Sequence, residues 1–243
     1  MSPDPGHVFP VAAADRLSMS FAKEAWAFVL PLVAIAAALF WFERRTAAIV
    51  VAVLSFLVLL FFRDPSRHYD GPEGMVLAPA DGLITAVEEV VDAEIGPGPY
   101  RRVVTFLSIF DVHVQRAPVA GEVVFSALLR GKKLAAFRAD VGEKNERYTN
   151  VFQRPNGDRI GVRQLAGLLA RRVVSYVGRG DRRQRGELMG VIKFGSRVDL
   201  YVPSSYEILV KKGDRVRVGE TPMASDRASS THSSTPMQTS GQR

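Results

Sequence analysis

Hydrophobic positions in this chain fall into two regimes that meet near residue 63. Ala25–Phe42 (AWAFVLPLVAIAAALFWF) and Thr46–Phe62 (TAAIVVAVLSFLVLLFF) are uninterrupted by charge, and only Glu43, Arg44 and Arg45 separate them. A bilayer core asks for roughly 20 apolar residues per helix, with about 17 at the lower limit. The pattern therefore predicts a helical hairpin over residues 23–63 that spans or enters a membrane. Trp26, Trp41, Phe42, Phe61 and Phe62 stand at its ends, where amphipathic aromatics favour the interface. Pro31 is tolerable there because a neighbouring helix can cover the carbonyl it frees. A cleaved signal peptide fits less well, since its apolar stretch would be too long and a second follows at once. Arg16 and Lys23 precede the hairpin and Arg63 and Arg67 follow it, which predicts that both flanks, and the remainder, lie on the cytoplasmic side.

Beyond the hairpin the pattern changes to short β-rich runs punctuated by Gly, Pro, Asn and Asp. The runs are 74–91, 102–109, 121–127, 149–152, 159–162, 172–176, 188–194, 198–202, 206–210 and 215–218. That spacing predicts a mainly β domain over 64–223, a sandwich or barrel. LAPADGLITAV (77–87) and VKKGDRVRVGETPM (210–223) echo one another, in a style similar to the barrel-sandwich hybrid of lipoyl and biotinyl carriers. Residues 1–22 read as a loose leader. Residues 224–243, rich in Ser, Thr, Gly and Gln, bury too little apolar surface to offset the entropy of ordering and read as a disordered tail.

Composition sharpens this picture in two ways. The absence of cysteine excludes disulfides, thiolate metal sites and cysteine nucleophiles, and it fits a reducing compartment. A net charge of +7 points to an anionic partner, and the apolar hairpin selects a membrane surface over nucleic acid. Arg179, Arg182, Arg183 and Arg185 cluster in one loop, which reads equally as a lipid-facing rim or a solvated turn.

Reactive side chains are few. His7 lies in the leader, His232 in the tail and His68 in a turn-like linker, whereas His113 sits in LSIFDVHVQRAP at the end of a β-like run. Asp81 lies in an APADG turn, where Asp commonly serves only the local backbone. Ser196 follows Gly195 between two β-like runs, without the G-x-S-x-G pattern of a hydrolase elbow. Each alone reads as structural.

Together, FFRDPSR (61–67), APADG (78–82), LSIFDVHVQRAP (107–118), Asn145-Glu146-Arg147 and FGSRVDLYVP (194–203) resemble the pyruvoyl-dependent phosphatidylserine decarboxylases in their short form, over about residues 61–223. The resemblance implies a proenzyme that attacks its own Gly195 carbonyl with the Ser196 hydroxyl. Elimination of the resulting ester then leaves chains 1–195 and 196–243 as a heterodimer, with Ser196 converted to a covalent pyruvoyl group. It further implies a Schiff base between that ketone and phosphatidylserine, loss of CO2 and release of phosphatidylethanolamine, with neither metal nor PLP. A serine needs a base to attack and a carbanion needs an acid, and His113 is assigned both tasks, with Asp81 holding its tautomer. Longer relatives carry a second histidine where this chain has Arg116, so His113 is expected to serve cleavage and decarboxylation alike. Two other readings are a membrane-tethered lipoyl-like adaptor and a serine hydrolase using Asp81, His113 and Ser196. Neither would cut the chain.

Overall fold

The computed structural model describes residues 19–131, 146–167, 173–192 and 196–226. A short strand β1 (Met19–Phe21) leads through a single 3-10 turn into α1 (Trp26–Trp41), and α2 (Arg45–Phe61) returns to β2 (Arg63–Pro65). β2 pairs antiparallel with β1, so the hairpin is closed at its foot by a ribbon, Phe21 opposite Arg63. The leader expectation therefore ends early, because Met19–Phe21 is ordered by this pairing; residues 1–18 lie outside the described residues. The span Lys23–Trp41 has a mean hydropathy of 1.9, long and apolar enough to cross a membrane. Leu30, Ile35, Phe40, Ile49, Val53 and Phe56 are all at least half exposed along the two helices. A contiguous apolar surface of that extent marks a membrane or protein contact.

The rest of the described chain is β. In chain order it forms β3 (Met75–Leu77), β4 (Gly82–Val91), β5 (Pro99–Leu107), β6 (Val114–Arg116), β7 (Gly121–Leu129), β8 (Arg147–Gln153) and β9 (Arg159–Ala166), followed by β10 (Val173–Ser175), β11 (Arg182–Arg183), β12 (Leu188–Ile192), β13 (Ser196–Pro203), β14 (Glu207–Ile208), β15 (Arg215–Val216) and β16 (Pro222–Ser225). An eight-stranded sheet in the order β11-β7-β8-β9-β13-β5-β4-β15 packs with two three-stranded sheets, β10-β12-β6 and β14-β16-β3. One core joins them, with Val76, Ile84, Leu107, Phe152, Val162, Ile192, Val198 and Met223 among its members. The mainly β class and the apolar helical hairpin agree with the sequence pattern.

β13 is central. It lies between β5 and β9, with Ser196 opposite both Leu107 and Ala166. Ser196–Val202 is buried throughout, so one face of β13 meets the common core and the other a second cluster around Ile95, Tyr100, Val151 and Tyr201. Residues directly opposite in an antiparallel ladder share a face. Ser196, Val198, Thr105, Leu107, Gln164 and Ala166 therefore all look inward.

Several boundaries differ from the pattern. β9 runs on to Ala166, past the expected end at 162, because two polar residues there have partners. Arg163 meets Asp92 and Glu94, and Gln164 donates to Gln115. β6 carries a His, a Gln and an Arg in its neighbourhood, and no run predicted it. The run expected at 206–210 shrinks to two residues, since Tyr206 N–H closes a turn onto the Pro203 carbonyl. Ala224 and Ser225, placed in the tail by composition, belong to β16; residues 227–243 lie outside the described residues.

Candidate active site

Ser196 opens β13, fully buried, and its Oγ has no hydrogen-bond partner among the described residues. A buried hydroxyl left unpaired costs about 1–3 kcal/mol, so such an atom invites explanation. Among the other buried polar atoms without partners in the described residues are Thr105 Oγ1, Gln164 Oε1 and His113 Nε2. Thr105 and Gln164 both stand opposite Val198, two residues along from Ser196 and on its face. Neither was singled out in the sequence, because which face each occupies depends on strand register.

His113 is fully buried at the entrance to β6. Its Nδ1 lies 2.9 Å from the Asp111 carbonyl oxygen. A carbonyl only accepts, so Nδ1 carries the proton and Nε2 presents a free lone pair. Burial pushes the imidazole pKa down to about 4, only partly offset by the Asp111 carbonyl and carboxylate. The side chain is thus neutral at pH 7, with the tautomer a general base needs. Its carbonyl accepts from Ile192 N–H at 3.2 Å and from Gln115 Nε2, whose Oε1 in turn accepts from Gln164. The β12–β6 pairing thereby ties the His113 segment to the strand that runs toward the Gly195–Ser196 bond. Gly195 itself lies outside the described residues.

Asp81 corrects an expectation. Its carboxylate accepts no hydrogen bond from His113: Oδ1 accepts from Val218 N–H at 2.7 Å, and Oδ2 from Arg67 at 3.3 Å. Burial raises its pKa, opposed by the Val218 N–H, the Arg67 charge and the Val112 N–H. Asp81 therefore reaches the His113 segment through the backbone of its neighbour Val112, while the imidazole is oriented by the Asp111 carbonyl. Local sequence explains the turn: Gly82 has φ +152, and a Cβ there would meet the Phe106 carbonyl oxygen at 2.3 Å.

Arg116 is spoken for. It donates to Asp64 at 2.6 Å and to the Gly186 carbonyl at 2.9 Å, clamping β6 to β2. Arg67 bridges Asp81 and Glu220 in the same region. The Arg-Asp-Pro-Ser-Arg block after the hairpin is thus a set of ion-pair clamps, a function not visible in the sequence. Arg147 pairs with Glu94 at 2.8 Å on the outer face, and Glu146 accepts from Ala166 N–H, so both serve the sheet; Asn145 lies outside the described residues. In the arginine-rich loop, Arg183 and Arg185 donate to backbone carbonyls and Arg182 pairs with Glu122. Among the described residues no group of three or more His, Asp or Glu side chains could hold a metal ion.

The hairpin reaches the site directly. Phe61, the last residue of α2, packs on the His113 ring, and Phe62, Ala22, Ala25 and Val29 join Val112 and Val114 in one cluster. A cleft of about 760 Å³ opens at the hairpin foot, lined by Phe21, Lys23, Asp64, Val114, Tyr176 and Arg183 among others.

Comparison with known proteins identifies the family. The family model for phosphatidylserine decarboxylase matches residues 54–224. A phosphatidylserine decarboxylase proenzyme of Symbiobacterium thermophilum is 44% identical over 200 residues, covering 82% of this chain and 93% of the relative. One from Magnetococcus marinus is 40% identical over 205 residues (83% and 93%), and one from Gluconobacter oxydans 46% over 169 residues (68% and 75%). The chain belongs to the phosphatidylserine decarboxylase family, whose members are carboxy-lyases.

Proposed function

We propose that this member of the family is a proenzyme that cuts its own Gly195–Ser196 bond, converts Ser196 to a pyruvoyl group and then decarboxylates phosphatidylserine to phosphatidylethanolamine. The observation that carries the reading is the pair of orphaned buried atoms, Ser196 Oγ at the start of β13 and His113 Nε2 just before β6. In the cleavage, Nε2 takes the Oγ proton as Oγ attacks the Gly195 carbonyl, and returns it to the departing amide nitrogen of Ser196. The peptide becomes an ester. Loss of the Ser196 α-proton then expels the Gly195 carboxylate and leaves a dehydroalanine, whose hydrolysis releases ammonia.

A ketone at position 196 fits its surroundings. The Thr105 hydroxyl is buried, lacks a partner among the described residues and shares its face, so it is suited to donate to a carbonyl oxygen there, whereas Gln164 Nε2 is already given to Gln115. When formed, the group supplies an electron sink for the amine-linked substrate as CO2 departs. His113, held at low pKa by burial, delivers readily any proton it has taken up, which suits it to return one to the product carbon. Lys23 and Arg183 in the cleft at the hairpin foot are suited to an anionic headgroup. The hairpin keeps the domain on the membrane, with the positive flanks favouring the cytoplasmic face.

Interleaving of strands supports survival of the cut protein as a heterodimer. β13 from the smaller fragment lies between β5 and β9 of the larger, and β15 pairs with β4. The hydrolase alternative would leave the chain uncut and Ser196 an ordinary serine. Intact mass measurement of the purified protein tests the proposal: it expects chains 1–195 and 196–243, the second with a borohydride-reducible, blocked N-terminus. An uncut chain in a preparation that decarboxylates phosphatidylserine would refute it.

A further inference from the structure

We propose that the turn Ser108–Asp111 is a membrane-dipping loop, in which Ile109 and Phe110 enter the boundary between headgroups and acyl chains beside the hairpin and hold the reactive residues at the bilayer surface. The inference rests on reading the hairpin as a membrane anchor. Asp111 N–H closes the turn onto the Ser108 carbonyl at 3.0 Å, and the Asp111 carboxylate accepts from both the backbone N–H and the hydroxyl of Ser108 at 2.7 Å. That lock projects the two central residues outward. Turn centres are ordinarily Gly, Pro, Asn, Asp or Ser. Here they are Ile and Phe, 53% and 79% exposed.

Position identifies what would cover them. Arg63, two residues beyond the end of α2, donates to the Leu60 carbonyl at 2.9 Å and to the Phe110 carbonyl at 2.6 Å. The turn is thereby pinned at the level where the apolar helix ends, which is where a bilayer interface would lie. Cations flank it: Arg63 itself, and Arg215, which is exposed and bonded to Asp111 at 3.3 Å. Two apolar tips between cations match a surface of anionic headgroups over hydrocarbon. The turn also joins Leu107, opposite Ser196, to His113, so anchoring it fixes both sides of the site.

The absence of cysteine allows single-site labelling of the full chain. Environment-sensitive probes would be placed at Phe110→Cys, at Ile35→Cys in mid-α1, and at Val91→Cys at the far end of the β4–β5 ladder, in phosphatidylcholine–phosphatidylglycerol vesicles containing spin-labelled lipids. Quenching at 35 and 110 but not at 91 supports the proposal. Quenching at 35 alone overturns it and leaves the anchor intact, whereas no quenching at 35 defeats the anchor reading and the loop with it. In a second arm, Ile109→Ser/Phe110→Ser lowers turnover of phosphatidylserine in sub-saturating vesicles by about tenfold, as expected for two lost apolar insertions. Turnover of a monomeric short-chain phosphatidylserine stays within about twofold. Equal losses on both substrates would overturn the loop's role.

Discussion

The Phe61 ring lies 4.1 Å from the His113 imidazole, centroid to centroid. The last residue of the apolar hairpin is thus part of the wall that desolvates the proposed base. The end of α2 and the surroundings of the imidazole are thus one packed unit.

Replacing Phe61 by Ala opens that wall. The His113 pKa should climb from about 4 toward the ordinary 6.5, read from imidazole carbon chemical shifts over a pH titration. The lost packing should cost about 3 kcal/mol, seen as a fall in thermal midpoint. An unmoved imidazole titration would show that other neighbours set its basicity.

The same shift sets a pH dependence. His113 is neutral in the folded chain down to about pH 4, while an unfolded histidine protonates near 6.5. Between those values the unfolded state binds the extra proton, so stability from this group is fully present above pH 6.5 and is lost progressively toward pH 4. The loss is on the order of 3 kcal/mol. The self-cleavage rate should stay level from about pH 8 to 5.5 and fall only near 4, provided the chain remains folded. A rate that halves near pH 6.5, with near-ultraviolet dichroism unchanged, would argue for a solvent-exposed or different base.

Asp81→Asn discriminates between two roles for the carboxylate. If it oriented the imidazole, the substitution would cost cleavage about 10⁴-fold through the wrong tautomer. With the Asp111 carbonyl orienting His113, the imidazole nitrogen shifts should keep the Nδ1–H form, and cleavage should slow by about tenfold or less. Stability should drop by about 1–3 kcal/mol as the Val218 and Arg67 contacts weaken, measured by denaturant unfolding.

Removing the proposed nucleophile or base gives the sharpest contrast. Ser196→Ala and His113→Ala should both remain single chains by denaturing electrophoresis and release no CO2 from phosphatidylserine. A cut Ser196→Ala chain would move the scissile bond elsewhere.

Thr105→Val tests the orphaned hydroxyl. The variant removes an unpaired buried oxygen, so it should leave stability unchanged or slightly raised. It should nevertheless slow cleavage or decarboxylation by about 10–10²-fold, which mass spectrometry over time and CO2 release would separate.

Much of the molecule was legible from residue order alone, because the signals were local. Two charge-free runs with a charged turn require no tertiary information to read as an apolar hairpin, and alternation with turn residues is enough for a mainly β domain. The Phe-Gly-Ser and Asp-Val-His blocks pointed to the family by residue identity. Through-space pairing was another matter. Which carboxylate faces His113, that Arg116 closes on Asp64, and that Thr105 and Gln164 share the inward face of Ser196 all depend on strand register between segments far apart in the chain. Register is set by the packing of the whole core and by partners such as Asp92 and Glu94 for Arg163, so a polar residue's role stays undetermined until its neighbour arrives. Composition settled what kinds of group were present; only the folded ladder decided that Ser196 and Thr105 share one buried face with their hydroxyls unpaired among the described residues.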